Sequence, residues 1–250
     1  MAANLYLDIG ESIKALKCLI TEGNIEKVIS VANMMRSTEG YNLAANFLQN
    51  CDWNIRNELI KHIISFYNKA KNWDSLAKFF EACSMYEVDE FKNYEKALKA
   101  LTEAEKYAEK STDLSTRLSE IQKKIRCIEK YMGTKAAQAG NPEDAMLGYR
   151  ELLDDPSSRD AMRVGDIFCQ MFEYYCQTAQ NDKAWEIVEE MREGSYQISR
   201  YLDRELLDNL CAKVGKTMKD STDPMMSPWG MDQPQSDGED IDEEIEDFIG

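Results

Sequence analysis

Residues 71–104, KNWDSLAKFFEACSMYEVDEFKNYEKALKALTEA, contain the pattern that decides the fold. Asn72 and Asn93 each stand four residues before an apolar residue, Leu76 and Ala97 respectively. Asparagine at such a position is typical of a helix N-cap, because its side-chain oxygen accepts a hydrogen bond from the first turn. The apolar residues that follow recur every three or four positions, as on the buried face of an amphipathic helix. The stretch therefore predicts two consecutive helices.

Three further segments repeat this pattern. They are GNIEKVISVANMM (23–35), GNPEDAMLGYRELLDDP (140–156) and AQNDKAWEIVEEM (179–191), in which Asn24, Asn141 and Gln180 stand four residues before Val28, Ala145 and Ala184. A small residue four positions after the asparagine or glutamine indicates that a neighbouring helix approaches closely there. We expect larger side chains further along the same helix, such as Phe79, Tyr149 and Val188, to fill the groove between the two helices. The pattern resembles the second helix of a tetratricopeptide repeat, although the copies are 48, 21, 48 and 39 residues apart instead of a strict period of about 34. We therefore predict an all-α fold, a helical-repeat (TPR-like) α-solenoid.

Outside these copies, apolar residues keep the same helical spacing. The stripes are Tyr6, Ile9, Ile13, Leu16 and Ile20; Ile55, Leu59, Ile63, Phe66 and Ala70; Val164, Ile167, Met171, Tyr175 and Thr178; and Leu206, Leu210 and Val214. Short polar or glycine-containing breakers separate them, which favours tight loops between neighbouring helices. About ten or eleven helices are expected in total.

One segment has a different, coiled-coil-like spacing. Its apolar residues are Leu114, Leu118, Ile121, Ile125, Ile128 and Met132. The run covers fewer than the three to four heptads that indicate a free-standing coiled coil. We therefore predict a long helix over 114–137 that packs antiparallel on residues 92–109. A dimer through this seam is the alternative.

The charge of the chain is concentrated at its C-terminal end. The 250 residues carry a formal net charge of −16, and eleven acidic residues but no lysine or arginine lie between Asp220 and Gly250. A segment with few apolar residues and one sign of charge cannot bury enough surface to offset chain entropy. We predict a folded solenoid over 1–219 and a disordered acidic tail over 220–250, which would repel nucleic acid and anionic lipid. No apolar run approaches the length of a membrane span, so no direct membrane insertion is expected.

The sequence contains no constellation that would support catalysis, a metal or a cofactor. Seven cysteines show no paired metal-ligand spacing, and His62 is the only histidine. We expect reduced, buried thiols and a partly buried structural histidine. Gly215-Lys216-Thr217 resembles the end of a phosphate-binding loop, but a glycine five positions earlier is missing, so Gly215 is better explained as a helix C-cap. No catalytic, cofactor-binding or metal-binding residue is predicted.

The acidic tail contains candidate partner-docking residues. Ile241, Ile245, Phe248 and Ile249 follow helical spacing and would form one apolar stripe, a pattern found in peptides that fold into a partner's groove. Trp229 is a second, isolated apolar anchor. The alternative is a solubility tail in which these apolar residues have no binding role.

Several segments resemble a known family in their order. Residues 44–104, AANFLQNCDWNIRNELIKHIISFYNKAKNWDSLAKFFEACSMYEVDEFKNYEKALKALTEA, are similar to the C-terminal helical-repeat region of the intraflagellar transport protein 140 family. RVGDIFCQMFEYY (163–175), EEMRE (189–193) and DIDEEIEDFIG (240–250) fit the end of the same family. Its members carry N-terminal β-propellers, which do not occur here, so we expect this chain to be a C-terminal fragment.

The resemblance implies a non-catalytic scaffold subunit of the ciliary intraflagellar transport A complex. Its partners would be the other subunits of that complex and membrane-protein cargo adaptors, but not nucleic acid. It would act in retrograde transport, cilium assembly and ciliary entry of membrane proteins, in the cilium or flagellum, the basal body and the cytoplasm. A solenoid scaffold of another trafficking assembly, such as a vesicle coat, is the alternative. An all-α enzyme or small-molecule carrier is a further alternative, for which a deep pocket with converging titratable groups would be needed.

Overall fold

A computed structural model describes residues 2–111 and 115–217, and within these ranges the chain forms fourteen α-helices and no β-strand. The helices are α1 (Ala2–Asp8), α2 (Ser12–Thr21), α3 (Ile25–Met35), α4 (Thr38–Gln49), α5 (Asn57–Ala70), α6 (Trp73–Phe91), α7 (Tyr94–Ala108), α8 (Ser115–Ala137), α9 (Pro142–Asp154), α10 (Ser158–Ala161), α11 (Val164–Gln177), α12 (Asn181–Glu193), α13 (Ile198–Tyr201) and α14 (Arg204–Val214). The predicted all-α, helical-repeat fold is confirmed. The predicted tail over 220–250 lies outside the described residues, and its boundary with the solenoid stays a prediction.

Two of the predicted apolar stripes differ from the observed helices at their ends. Ile9 is 69% exposed because α1 ends at Asp8 and Gly10 adopts a positive φ of 80°, so the first stripe is divided between two helices. Ile55 is 77% exposed because it precedes the start of α5, whereas Leu59, Ile63 and Phe66 are buried as expected. The described chain also has more helices than the ten or eleven predicted. Two of them, α10 and α13, have only four residues each and show no apolar period in the sequence.

The repeated turn forms as the sequence predicts. The side-chain oxygens of Asn24, Asn72, Asn93 and Asn141 each accept a hydrogen bond from the backbone N–H three residues later, over 3.1, 3.2, 3.0 and 3.5 Å. Gln180 occupies the same position but its side chain makes no such bond. The residue four positions later is at most 2% exposed in every copy, Val28, Leu76, Ala97, Ala145 and Ala184. A buried apolar side chain therefore occupies this position in all five copies, and it is an alanine in three of them.

The first of two compact units comprises the described residues up to 123. Its most extensive helix pair is the α6–α7 hairpin, in which the rings of Phe80 and Tyr107 stack at 5.6 Å with an angle of 5° between their planes. The N-terminal part of α8 contacts both helices, since Arg117 pairs with Glu81 of α6 and Gln122 donates to Glu105 of α7 at 2.9 Å.

The α8 helix confirms the predicted element but not all of its seam. Ser115–Ala137 matches the expected range of 114–137 to one residue, and Leu114 lies outside the described residues. Ile121 and Ile128 are buried, while Leu118, Ile125 and Met132 are half-buried. In the second unit, from residue 124, the C-terminal part of α8 places Tyr131 against Tyr149 of α9, with ring centroids 6.1 Å apart.

Candidate functional site

A cleft of about 340 Å³ opens in the second unit between helices α9, α10, α11 and α12. We call it the α9–α12 cleft. Its apolar lining comes from Leu153 of α9, from Val164 and Phe168 of α11, and from Tyr196, which follows α12. These side chains come from three separate parts of the chain, so no single apolar stripe in the sequence indicates the site.

The aromatic wall of the α9–α12 cleft depends on the turn after α12. Tyr196 packs edge-on against Phe168, with ring centroids 5.4 Å apart and 63° between the planes. Ser195 adopts a positive φ of 57°, and the Tyr196 N–H donates to the Met191 carbonyl at 2.8 Å, which turns the ring back toward the helix. A Cβ on Gly194 would lie 2.5 Å from the Tyr196 ring. A larger residue at position 194 would therefore require the Tyr196 ring to move.

The charged lining of the cleft is mixed in sign. Arg150 of α9 forms an ion pair with Glu190 of α12, which bridges two walls of the cleft. Arg159 of α10 is exposed and makes no ion pair within 2–111 and 115–217, and Asp154 is also exposed. An exposed arginine beside an aromatic wall is a common anchor at protein interfaces.

Tyr175 lies on α11, the helix that supplies Val164 and Phe168 to the cleft, and is itself buried at 8% exposure. Tyr175 lies seven residues after Phe168 and therefore on the same helix face, about 10 Å further along the axis. Burial raises the pKa of the Tyr175 hydroxyl, and the nearby Arg150 opposes this rise. Lys183 of α12 holds its Nζ 5.5 Å from the centre of the Tyr175 ring. Leu147, one turn before Arg150 on α9, is 63% exposed.

A second exposed surface lies in the first unit, and we call it the α6 aromatic surface. Trp53 packs edge-on against Tyr86 at 5.6 Å, and Tyr86 packs in turn against Phe91 at 5.6 Å. Phe91 is 39% exposed, and the Tyr86 hydroxyl donates to the Asn54 carbonyl at 3.5 Å. Partly exposed aromatic rings of this kind are enriched at protein interfaces.

The predicted docking residues Trp229, Ile241, Ile245, Phe248 and Ile249 all lie outside the described residues. The described chain ends beside α12, however. Lys216 places its Nζ 3.3 Å from Glu189 and 4.9 Å from the centre of the Trp185 ring. Gly215 is the left-handed C-cap of α14, with a φ of 69°, as the sequence predicts, and not part of a phosphate-binding loop.

Burial changes the pKa of several thiols and of the histidine in the described chain. All seven cysteines are unpaired, but only Cys83 and Cys127 are buried, so the expectation of buried thiols is correct for two and too strong for the half-buried remainder. Burial raises the pKa of five thiols, those of Cys51, Cys83, Cys127, Cys176 and Cys211, which disfavours the nucleophilic thiolate. Burial and then Lys69 lower the pKa of half-buried His62, which packs 6.0 Å from Phe66.

Within residues 2–111 and 115–217, no group of three or more His, Cys, Asp or Glu side chains is arranged to hold a metal ion. In the same part of the chain, no helix combines the length and the apolar content needed to span a membrane.

Comparison with known families agrees with this architecture. The C-terminal TPR domain of intraflagellar transport protein 140 matches residues 74–192, and the TPR domain of intraflagellar transport proteins 140 and 172 matches residues 1–66. The junction between the two matches falls at the turn between α5 and α6. Together they cover about three quarters of the chain, including the α9–α12 cleft up to Glu190. The chain therefore belongs to the intraflagellar transport protein 140 family, whose C-terminal tetratricopeptide-type domain it contains.

Proposed function

We propose that this chain is a non-catalytic scaffold subunit of the intraflagellar transport A complex. It makes protein contacts that support retrograde ciliary transport and the ciliary entry of membrane proteins. The observation that carries this proposal is the match of residues 74–192 to the C-terminal TPR domain of intraflagellar transport protein 140. The match of residues 1–66 supports an intraflagellar transport role, but its description names two proteins, intraflagellar transport proteins 140 and 172.

The surfaces of the two units support a binding role. Helical-repeat proteins bind partners through surfaces that stacked helices leave exposed, and affinity concentrates in a few aromatic and arginine side chains. The α9–α12 cleft offers Tyr196 and Arg159, and the α6 aromatic surface offers Tyr86 and Phe91. We assign these two surfaces to partner subunits.

The partners under this proposal are the other subunits of the intraflagellar transport A complex, together with adaptors for membrane-protein cargo. The places of action are the cilium or flagellum, the basal body and the cytoplasm. Burial raises the pKa of the Cys83 and Cys127 thiols and lowers the pKa of His62, so none of these three groups is activated as a nucleophile or a base.

Reconstitution with purified subunits tests the proposal. The full chain is mixed with the other intraflagellar transport A subunits, separated by size-exclusion chromatography and analysed by cross-linking mass spectrometry. We expect co-elution with at least one subunit and cross-links near the α9–α12 cleft or the α6 aromatic surface. Co-elution with vesicle-coat subunits but with no intraflagellar transport subunit would reject the proposal.

Variants of one residue on each surface identify the contacts. Tyr196→Ala removes an aromatic wall of the cleft, and Tyr86→Ala removes the middle ring of the α6 aromatic surface. Loss of a side chain at an interface hot spot weakens binding by about tenfold or more. Arg126→Ala, at an exposed position of α8 outside both surfaces, is the control and should leave the affinity unchanged.

A further inference from the structure

Several aromatic rings of this chain are covered by a cation that the chain itself supplies. Lys110 holds its Nζ 4.6 Å from the centre of the Tyr107 ring and 5.5 Å from that of the Trp73 ring. Four further cations lie 4.9 to 5.5 Å from a ring centre: Lys69 over Tyr41, Lys183 over Tyr175, Lys216 over Trp185 and Arg163 over Tyr201. A cation within about 6 Å of a ring centre is attracted by the negative face of the ring. These rings therefore already have a charged partner.

The rings of the α6 aromatic surface, Trp53, Tyr86 and Phe91, differ in this respect. Within the part of the chain that the structure describes, no lysine or arginine lies over any of the three. The planes of successive rings meet at 65° and 82°, so the rings form an angled wall and not a flat stack. Phe91 is 39% exposed, and Ile55, directly after the Asn54 that holds the Tyr86 hydroxyl, is 77% exposed. The surface thus offers apolar and aromatic area without a cation of its own.

The charges beside these rings are negative on balance. Segments 52–56 and 86–92, which carry the three rings, contain four acidic residues and two basic ones, a net charge of −2. Burial raises the pKa of the Tyr86 hydroxyl, its hydrogen bond to Asn54 opposes the rise, and the negative charges of Glu90 and Glu87 add to it. Glu90 is exposed one turn after Tyr86 on α6. A positive group is therefore favoured at this surface, and a negative one is disfavoured.

We propose that the α6 aromatic surface binds a segment of a partner protein in which a lysine or arginine stands beside an apolar side chain. The cation of the partner takes the place over the Tyr86 and Phe91 rings that the chain leaves without one, with Glu90 as its counter-ion. The apolar side chain of the partner packs on Ile55. This inference rests on the proposed binding role of the surface, and it adds the chemistry of the segment that the surface accepts.

A second copy of the chain and the α9–α12 cleft fit this chemistry less well. The chain has a net charge of −16, and two copies of the same acidic surface would repel each other. In the cleft, Arg150 pairs with Glu190, and exposed Arg159 is matched by exposed Asp154. A lining in which the charges balance selects neither sign of partner.

Fluorescence anisotropy with three matched peptides tests the proposal. The full chain is titrated into fluorescein-labelled Gly-Gly-Xaa-Leu-Trp-Xaa-Leu-Gly-Gly, in which both Xaa are arginine, glutamine or glutamate. About 0.15 M salt screens the long-range charge of the chain. We expect the arginine peptide to bind at least about tenfold more tightly than the glutamate peptide, with the glutamine peptide between them.

Variants of the full chain locate the binding site. Tyr86→Ala should weaken the arginine peptide about tenfold. Ile55→Ser should weaken it about threefold or more, and because Ile55 is highly exposed this variant keeps the core intact. Glu90→Lys should remove the preference for the arginine peptide over the glutamate peptide. The matched control is Glu109→Lys, which makes the same change of net charge at an exposed position at the other end of the α6–α7 hairpin and should keep the preference.

Four results would overturn the proposal. Equal affinities for the three peptides, or tighter binding of the glutamate peptide, would show that the surface does not select a cation. Binding that Tyr86→Ala and Ile55→Ser leave unchanged, or that Glu109→Lys alters as much as Glu90→Lys, would place the peptide elsewhere. A dimer of the chain that Ile55→Ser abolishes would assign the surface to a second copy. Absence of binding by all three peptides would show that the surface accepts no linear segment.

The outcome is separable from that of the proposed function. Co-elution with intraflagellar transport A subunits does not depend on the peptides, so the scaffold proposal stands if the peptides fail. A selective arginine peptide, in turn, keeps its meaning if no such subunit co-elutes.

Discussion

Several turns between helices place an ordinary residue in the left-handed backbone region. Lys71, Lys92 and Ala179 have φ values of 55°, 54° and 56°, and each stands directly before the N-cap residue of the next helix. Gly23 takes the same place before Asn24, with a φ of 70°. An L-residue in this region is disfavoured by about 1–2 kcal/mol because its Cβ approaches the following carbonyl. Three of these four turns therefore carry a steric cost, which Gly23 avoids in the fourth.

Ala179→Gly should stabilise the folded chain. Relief of the left-handed strain exceeds the additional backbone entropy that glycine loses on folding, so we expect a gain of about 0.5–1 kcal/mol. The matched control is Ala212→Gly, at an exposed position within α14, which should lose about as much. Thermal unfolding of the two variants under one condition measures the difference. A change of the melting temperature in the same direction for both variants would contradict the explanation by left-handed strain.

Glu87 is a charged residue in the core of the α6–α7 hairpin. Its side chain is 2% exposed, and its Oε2 has no hydrogen-bond partner. Burial raises the pKa of this carboxyl above its ordinary value, and the nearby Lys96 only partly opposes the rise. Between the ordinary and the raised pKa, the folded chain holds more protons than the unfolded chain. Stability therefore falls as the pH rises through this window.

Glu87→Gln should raise the melting temperature at pH 7, because it removes the buried charge at nearly constant volume. The gain should shrink as the pH is lowered through the raised pKa toward 4.5, the ordinary value, where the wild-type carboxyl becomes protonated. Glu90→Gln, an exposed neighbour on the same helix, is the control and should change little at either pH. A Glu87→Gln variant that is no more stable than wild type at pH 7 would show that Lys96 compensates the burial fully.

At the scale of the helix, the asparagine caps decide where each repeat begins. Asn93 accepts a hydrogen bond from the Lys96 N–H at 3.0 Å, while Gln180 accepts none from the first turn of α12. The fifth copy of the repeat thus keeps the position of the turn and the buried Ala184, but lacks the cap.

Asn93→Ala should destabilise the chain by about 1 kcal/mol, because it leaves a helix N–H without its side-chain acceptor. Gln180→Ala should change the stability by less than about 0.5 kcal/mol, since no capping bond is lost. Hydrogen exchange gives a local readout, in which the Lys96 amide loses protection in the first variant while the amides of α12 are unaffected in the second. Equal losses in both variants would mean that the asparagine side chains do not act as caps.

The helices that the sequence predicts are those with both a start signal and a long apolar period. Asn72, Asn93 and Asn141 cap the starts of helices as expected, and α8 matches its predicted range of 114–137 to one residue. The four-residue helices α10 and α13 are too short for a helical period of apolar residues to appear in the sequence. The apolar spacing does not reveal the break after α1, because Ile9 continues the spacing of α2 although Gly10 turns the chain.

The candidate site is less accessible to sequence reasoning than the helices. Tyr196 lies in a loop, and its place beside Phe168 follows from Gly194 and from the left-handed Ser195. The nearest signal in the sequence is the pair Gly194-Ser195 directly after an amphipathic helix, which indicates a turn but not the direction of the next side chain. Arg159 and Val164 join the cleft only through the packing of α10 and α11.

Across the whole molecule, most of the net negative charge lies in the C-terminal tail. The tail holds eleven acidic residues, whereas residues 1–219 carry a net charge of about −5. A folded part that is nearly neutral can bring mixed charges to its surfaces without strong long-range repulsion. The tail carries one sign of charge, which disfavours acidic partners, and the docking role of its apolar stripe stays a prediction.

The candidate docking residues of the acidic tail give a prediction for the whole molecule, which rests on the proposed scaffold function. If the apolar stripe is a docking motif, replacing two of its anchors removes apolar contact area from the interface with one partner. The full chain with Ile245→Ser and Phe248→Ser should therefore bind one intraflagellar transport A subunit about tenfold more weakly than wild type, as measured by titration calorimetry. Gln233→Ser, in the same tail but outside the stripe, is the control and should bind like wild type. Unchanged binding to every subunit would show that the segment acts only as a solubility tail.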